Sequence, residues 1–216
     1  MPSQTFHQPN SLAQAIAAER RDLADVLAGL DAGDWDAATL CAGWRVREVV
    51  AHLTMPFRYT QERYGLELAK SGGDFTAMSD RCAKEDAAAL SPAELTAVLR
   101  DNAANPWVPP GGQPEAPLTH DVIHGLDFTV PLGLGRQVPG DRMLLVLDAV
   151  TSPAALGRFG VDLAGLKLAA DDLDWSYGSG DRVTGAAQDL LLAIAGRRLD
   201  AGSLHGPAAA RLLPNA

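Results

Sequence analysis

Apolar residues in the first part of this chain recur with the spacing of amphipathic helices, and this spacing constrains the fold more than any other feature. It predicts a first helix from Asn10 or Ser11, either of which can cap it, to about Leu30. It predicts a second helix over residues 45–70, with a kink or break at Pro56, because proline lacks the amide hydrogen that a helix needs. Helices with one apolar stripe bury it against one another, so a bundle is expected here.

Three more helices are predicted before the pattern changes at a linker, residues 135–140. They cover residues 75–89, residues 92–104 after the serine cap of Ser91-Pro-Ala-Glu94, and the segment from Ala116 to about Pro131 or Gly133. Beyond the linker, helices are predicted over residues 143–150 and 186–195, and short strands over residues 163–169 and 173–177. The order of elements predicts an α+β protein, with a helical bundle in residues 1–134 and a small C-terminal α/β domain in residues 135–216.

The charge balance narrows the range of partners. The chain has 27 acidic and 18 basic residues among 216, which gives a formal net charge of −9. An acidic surface disfavours nucleic-acid backbones and anionic membranes, and no apolar run approaches the length of about 20 residues that spans a bilayer. The N-terminus lacks the basic flank and apolar run of a secretory signal, and Cys41 and Cys82 lie far apart outside any CxxC pattern. A cytoplasmic protein without nucleic-acid or membrane partners is expected.

Three histidines fall inside predicted helices and are the strongest indication of function. His120 and His124 are four residues apart, so they share one face of a helix, and His52 lies in an apolar run of another helix. Imidazole nitrogens suit zinc, nickel, iron and copper, and three protein ligands with one open position are typical of catalytic zinc. An HxxxH pair also arises by chance, and helical histidines are often core or surface residues. Because Asp121 follows His120, no HExxH metalloprotease motif is present.

Other residues have both a functional and an ordinary interpretation. Asp127, three residues after His124, can orient a ligand histidine or simply be solvated near a helix end. Cys41 is a candidate thiol or ligand, although its apolar neighbours favour a structural cysteine. Trp35 and Trp44 can line a pocket or fill the core. The Gly-Ser-Gly run at residues 178–180 lacks the lysine of a phosphate-binding loop, and no GxSxG elbow occurs.

Three stretches together resemble the mycothiol-dependent maleylpyruvate isomerase family of actinobacteria, within the DinB-like metal-binding bundles. They are residues 39–53 (TLCAGWRVREVVAHL), residues 118–127 (LTHDVIHGLD) with Pro131-Leu-Gly133, and residues 182–197 (RVTGAAQDLLLAIAGR). The resemblance implies a four-helix bundle that holds a divalent metal through His52, His120 and His124, beside a small C-terminal domain. Zinc is the expected ion, with nickel, iron or manganese as alternatives.

The resemblance also implies mycothiol as the thiol cosubstrate, used as the nucleophilic thiolate. The isomerase branch has a glutamate where this chain has His120, so a three-histidine site is closer to the wider DinB-like group and to thiol transferases. A basic residue from the C-terminal domain is expected in an isomerase. Arg182, Arg197 and Arg198 are the candidates, and the last two can instead cap the end of a helix.

The leading hypothesis is a metal- and mycothiol-dependent transferase or maleylpyruvate-type isomerase that acts on a small electrophile, as a monomer or homodimer. The alternative is a non-catalytic metal-binding or small-molecule-binding regulatory protein with the same bundle. A third interpretation is a metal-free helical protein whose histidines pack as neutral core groups.

Overall fold

The computed structural model describes the backbone of residues 9–213 and the side chains of residues 12–213, so the predicted caps Asn10 and Ser11 lie outside the described side chains. The N-terminal elements are all helices, and helices and strands occur together only in the C-terminal part, which confirms the predicted α+β class. In chain order they are α1 (Pro9–Ala28), α2 (Val46–Arg58), α3 (Gln61–Lys70), α4 (Phe75–Ala89), α5 (Pro92–Asp101), α6 (Ala116–Thr129), α7 (Gly140–Val150), α8 (Pro153–Phe159), β1 (Leu166–Ala170), β2 (Ser176–Gly178), β3 (Asp181–Gly185), α9 (Ala187–Ile194) and β4 (Leu204–His205).

The chain forms two compact units, one up to residue 124 and one from residue 125 onward. The boundary predicted between residues 134 and 135 stays a prediction. In the N-terminal unit α2 packs against α4 and α5, and α1 packs against α5. The aliphatic part of the predicted apolar stripe of α2 is buried, since Val46, Val49, Val50 and Leu53 expose no surface. Phe57, the fifth predicted member, is only half-buried.

The helix predicted over residues 45–70 is interrupted, as its proline led us to expect. The break lies about three residues after the proline. Pro56 lies inside α2, which continues to Arg58. The next helix starts after Thr60, whose hydroxyl accepts a hydrogen bond from the backbone N–H of Arg63 at 3.1 Å. A proline removes one helical hydrogen bond without ending the helix at once, and the break falls where a capping side chain is available.

The capping box predicted at Ser91 is confirmed. The backbone N–H of Glu94 donates to the Ser91 hydroxyl at 3.3 Å, and the backbone N–H of Ser91 donates to the Glu94 carboxylate at 2.8 Å. These two bonds satisfy amide groups that have no partner within the helix, so α5 begins where the sequence predicted.

The C-terminal unit contains a four-stranded sheet in the order β2-β1-β3-β4. The two central strands, β1 and β3, are parallel, with buried Leu168 opposite buried Val183, and the two outer strands are antiparallel to their neighbours. Helix α9 packs against both central strands and against α7. The sequence did not predict α8, β3 or β4, and the strand predicted over residues 173–177 is confined to Ser176–Gly178.

The Gly-Ser-Gly run has a structural role in the turn between β2 and β3. Gly178 and Gly180 have φ angles of +74° and +124°, which side-chain-bearing residues rarely adopt. A Cβ atom on Gly180 would also collide with the backbone of Gly165. These glycines therefore allow a close approach of two backbone segments.

Among the described residues, no helix combines the length and the apolarity that crossing a membrane requires.

We predict that Gly180→Ala lowers the free energy of unfolding by at least about 2 kcal/mol, because a strained φ angle and a backbone collision both oppose the methyl group. Gly157→Ala is the matched control, since Gly157 lies in α8 with open space around its Cα, and alanine there should stabilise by up to about 1 kcal/mol. Urea unfolding of the purified variants measures both changes. Equal stability of the Gly180 variant and the wild type would contradict this role of the turn.

Candidate metal centre

His52 lies in α2, whose first turn is stabilised by Glu48. Glu48 lies one turn before His52, and its carboxylate accepts a 2.7 Å hydrogen bond from the backbone N–H of Arg45 as well as bonds from the Arg45 guanidinium. Burial acts to raise the pKa of Glu48, but the hydrogen bonds from Arg45 outweigh it and hold that pKa below its ordinary value. The ion pair between Arg45 and Glu48 therefore stabilises the first turn of α2.

His120 and His124 occupy one face of α6, one turn apart, as their spacing predicted. Leu118 and Val122, which are fully buried, alternate with the histidines along the helix and fix its rotation. Burial of this apolar side leaves the two imidazoles together on a half-buried side of the helix.

The structure brings all three predicted histidines together. The Nε2 atoms of His52 and His120 are 3.2 Å apart. The ring centroids lie 5.1 Å apart for His52 and His120, and 4.9 Å apart for each of the two pairs that include His124. Each ring offers one nitrogen that lies within 4.8 Å of the nitrogens of the other two. Two separate helices thus supply a single cluster of three imidazoles.

The distances suit a small metal ion. Zinc–nitrogen bonds of about 2.0–2.1 Å in a tetrahedron place two ligand nitrogens about 3.3 Å apart. The 3.2 Å between the Nε2 atoms of His52 and His120 is close to that value. The donor set, three imidazoles, is also one that zinc and its neighbouring transition metals accept.

A carboxylate contacts the outer nitrogen of one of the three rings. Oδ1 of Asp121 lies 3.1 Å from Nδ1 of His120, and Oδ2 of the same carboxylate accepts a 2.7 Å hydrogen bond from Nε of Arg20. A carboxylate at Nδ1 favours the tautomer with its proton on Nδ1 and the lone pair on Nε2, the atom that faces His52. This role of Asp121 was not predicted from the sequence, although an acidic residue beside a histidine in an apolar segment was the available signal.

The loop before α2 contributes two residues at the cluster. Sγ of Cys41 lies 3.8 Å from Nδ1 of His124. The Trp44 ring lies 5.2 Å from the His52 ring, and its indole N–H donates to Asp80 at 2.9 Å. The other tryptophan of this loop, Trp35, is 3% exposed and belongs to the core. Of the two predicted pocket residues, the structure therefore places only Trp44 at the histidines.

Trp107 is a second aromatic neighbour of the histidines, and its position was not predicted from the sequence. Its ring lies 6.0 Å from the His120 ring, in the segment after α5 that was predicted only as a loop. Because loop sequences carry no periodic pattern, nothing local in that segment indicated that its indole faces a histidine.

Asp127 and Arg197 form an ion pair within the C-terminal unit. Nε and Nη2 of Arg197 donate to the two carboxylate oxygens of Asp127 at 2.7 and 2.8 Å, and Nη1 donates to the carbonyl oxygen of Ala195 just after α9. Arg197 thus contacts the end of a helix, which was the alternative role predicted for it. Arg182 lies on an exposed part of β3, and Arg198 follows α9.

We predict that Glu48→Gln changes the dependence of stability on pH. The lowered pKa of Glu48 makes its ionised form stabilising above its ordinary value of 4.5, and that contribution disappears as the pH falls through the lower folded-state pKa. The glutamine variant should be less stable than the wild type by about 1 kcal/mol at pH 7, with the difference shrinking below pH 4.5. Urea unfolding between pH 3 and pH 7 tests this, and parallel stability curves would refute it.

Comparisons with known proteins agree with the resemblance that the sequence indicated. Residues 16–105 match the family described as the mycothiol maleylpyruvate isomerase N-terminal domain, a range that includes His52 and ends before His120. The solved structures that the chain resembles include the mycothiol-dependent maleylpyruvate isomerase and a histidine-to-alanine mutant of it. Each is 13% identical, with 97% of both chains covered and a TM-score of 0.50, so this similarity establishes the fold. No curated protein sequence matches the chain.

Proposed function

We propose that this chain, whose residues 16–105 match the mycothiol maleylpyruvate isomerase N-terminal domain family, is a metal- and thiol-dependent enzyme. His52, His120 and His124 would hold one divalent ion, for which zinc is the first candidate. The observation that carries the proposal is the 3.2 Å separation of two imidazole nitrogens from different helices, with the third imidazole beside them.

A divalent ion held by these residues would lower the pKa of a thiol that binds to it and so favour the nucleophilic thiolate. The three histidines are neutral ligands, so they would leave the full charge of the ion available to an anionic ligand. Two indoles lie beside the histidine cluster: the Trp44 ring is 5.2 Å from the His52 ring, and the Trp107 ring is 6.0 Å from the His120 ring. Aromatic walls with few polar groups would strengthen the attraction between charges at the site.

The family supplies the identity of the thiol. Mycothiol is named both in the matching family and in the solved structures, and we propose it as cosubstrate on that basis. The second substrate would be a small electrophile. In an isomerisation the thiolate sulfur adds to an activated double bond, the resulting single bond rotates, and the sulfur leaves. In a transfer the sulfur stays attached and the electrophile loses its leaving group.

A non-catalytic metal-binding or regulatory protein is the second candidate, and Cys41 is the observation in its favour. Its sulfur lies 3.8 Å from His124, so a fourth protein ligand is close to the cluster. Structural zinc sites are closed by four protein ligands, whereas catalytic sites keep one position open. Removing Cys41 would loosen the metal in a closed site and would leave an open three-histidine site intact. The cytoplasmic location, the oligomeric state and the absence of nucleic-acid partners stay predictions of the sequence.

We predict that the purified chain holds about one divalent metal per molecule and that His120→Ala with His124→Ala abolishes this binding, because one remaining imidazole cannot hold the ion. Elemental analysis by mass spectrometry measures the metal. His205→Ala is the matched control, since His205 is exposed on β4 in the other unit, and it should retain the full metal content. An unchanged metal content in the double variant would disprove the assignment.

We predict that mycothiol raises the melting temperature of the metal-loaded protein, whereas the His120→Ala, His124→Ala double variant shows no rise. A ligand at 100 times its dissociation constant stabilises the folded state by about 2.7 kcal/mol, which a thermal shift assay detects readily. Loss of maleylpyruvate or of a halogenated aromatic compound only when both thiol and metal are present would identify an enzyme. Thiol binding without turnover of any such electrophile would favour the regulatory protein.

A further inference from the structure

Arg20 of α1 has a guanidinium group that is fully buried yet carries a full charge. Its Nε donates to Oδ2 of Asp121 at 2.7 Å, and this carboxylate is also buried, with 1% of its side chain exposed. Its Nη1 donates to the backbone carbonyl of Asn105 at 2.7 Å. One side chain therefore joins α1 to α6 and to the segment that follows α5.

A buried ion pair such as this one contributes little to the free energy of unfolding. Removing two charges from water often costs as much as their attraction returns, and apolar residues of the same size commonly stabilise a core better. Among the described residues, Nη2 of Arg20 has no hydrogen-bond acceptor, and the guanidinium carbon lies 4.8 Å from the centre of the Phe57 ring. An incompletely satisfied buried charge suggests that geometry, rather than stability, is what this residue provides.

The first geometric consequence concerns His120. Because Arg20 holds Oδ2 of Asp121, the carboxylate cannot rotate freely, and its other oxygen stays 3.1 Å from Nδ1 of His120. That contact sets the ring orientation and the tautomer, and so decides where the Nε2 lone pair points.

The second consequence concerns the aromatic wall of the cluster. The carbonyl oxygen of Asn105 accepts from Arg20, while the Asn105 side-chain oxygen accepts from the backbone N–H of Trp107 at 3.0 Å. The Trp107 ring then lies 6.0 Å from the His120 ring. The same guanidinium thus holds the backbone that carries this indole.

We propose that Arg20 is a positioning residue of the metal centre, which orients His120 through Asp121 and places Trp107 through Asn105. This inference rests on the proposed function, because it requires that the three histidines bind a metal. Helix α1 would then influence the metal affinity and the position of the Trp107 indole, although it supplies no ligand.

The test compares Arg20→Lys with Arg58→Lys. Lysine keeps the charge but cannot reach the carboxylate and the carbonyl together, as the planar arginine fork does. Arg58 is the matched control, because it forms another largely buried arginine–aspartate pair of the same unit, 2.7 Å from Asp86, whose further partners are Tyr59 and Arg63. The readouts are the dissociation constant for Zn²⁺, from competition with a chelator, and the melting temperature of the metal-free proteins.

We expect Arg20→Lys to weaken Zn²⁺ binding by about tenfold, whereas Arg58→Lys changes it by less than twofold even where both variants lose melting temperature. Equal Zn²⁺ affinity of Arg20→Lys and the wild type would overturn the inference. So would an equal loss of affinity in both variants, because that result would reflect general destabilisation. A wild-type protein that binds no metal would instead refute the proposed function.

If Arg20→Lys does not fold, the double variant Arg20→Met with Asp121→Leu replaces it, since this change leaves no unpaired buried charge. It should bind Zn²⁺ 10- to 100-fold more weakly, the range expected when the group behind a ligand histidine is lost. Unchanged affinity there would equally overturn the inference.

The proposed effect of Arg20 on the position of Trp107 is tested separately by tryptophan fluorescence. The difference in fluorescence between matched proteins with and without Trp107→Phe isolates the emission of this indole. In the Arg20→Lys background that emission should shift to longer wavelength, because the loosened indole contacts more water. An unchanged emission would show that Arg20 does not place Trp107.

Discussion

The buried ion pair between Arg20 and Asp121 is the interaction on which the centre of the N-terminal unit depends. It joins α1 to α6 inside the protein, where a charge without its partner would cost about 3–5 kcal/mol. That cost makes the pairing close to obligatory, so the two helices cannot slide or rotate past each other without losing it. The orientation of His120 follows, because the carboxylate that Arg20 holds is the one that contacts the outer nitrogen of this ring. Apolar packing without this ion pair would give a similar bundle, but the orientation of the His120 ring would be less well defined.

A second arginine–aspartate pair in the same unit joins α2 to α4. Asp86 accepts from Arg58 at 2.7 Å and from the hydroxyl of Tyr59 at 2.9 Å. Burial and the neighbouring carboxylate both raise the pKa of Tyr59, so its hydroxyl stays protonated and remains a donor. Arg58 also donates to the carbonyl oxygen of Ala51 at 2.7 Å, so the network joins α4 to α2 near the junction of α2 and α3. Under the proposed role of Arg20, similar chemistry would serve the geometry of His120 in one place and the contact between two helices in the other.

Much of the fold followed from local patterns, and the failures have physical causes. The capping box at Ser91 and the apolar stripe of α2 were predictable, because both depend on residues within one or two turns of each other. The five residues of β3 escaped prediction, since only Val183 and Gly185 among them are buried and parallel pairing with β1 supplies the hydrogen bonds. The break after Pro56 was expected, but its exact place depended on the cap offered by Thr60.

The sequence by itself determined that His120 and His124 share one helix face, because that follows from a spacing of four residues, and it identified His52 as the third candidate. Only the tertiary structure decided that the three rings meet, and that Asp121 and Trp107 stand behind and beside them. The reason is the range of the forces involved. Helix periodicity and capping act over a few residues, whereas the partner of Arg20 lies 101 positions further along the chain and becomes its neighbour only when the core closes.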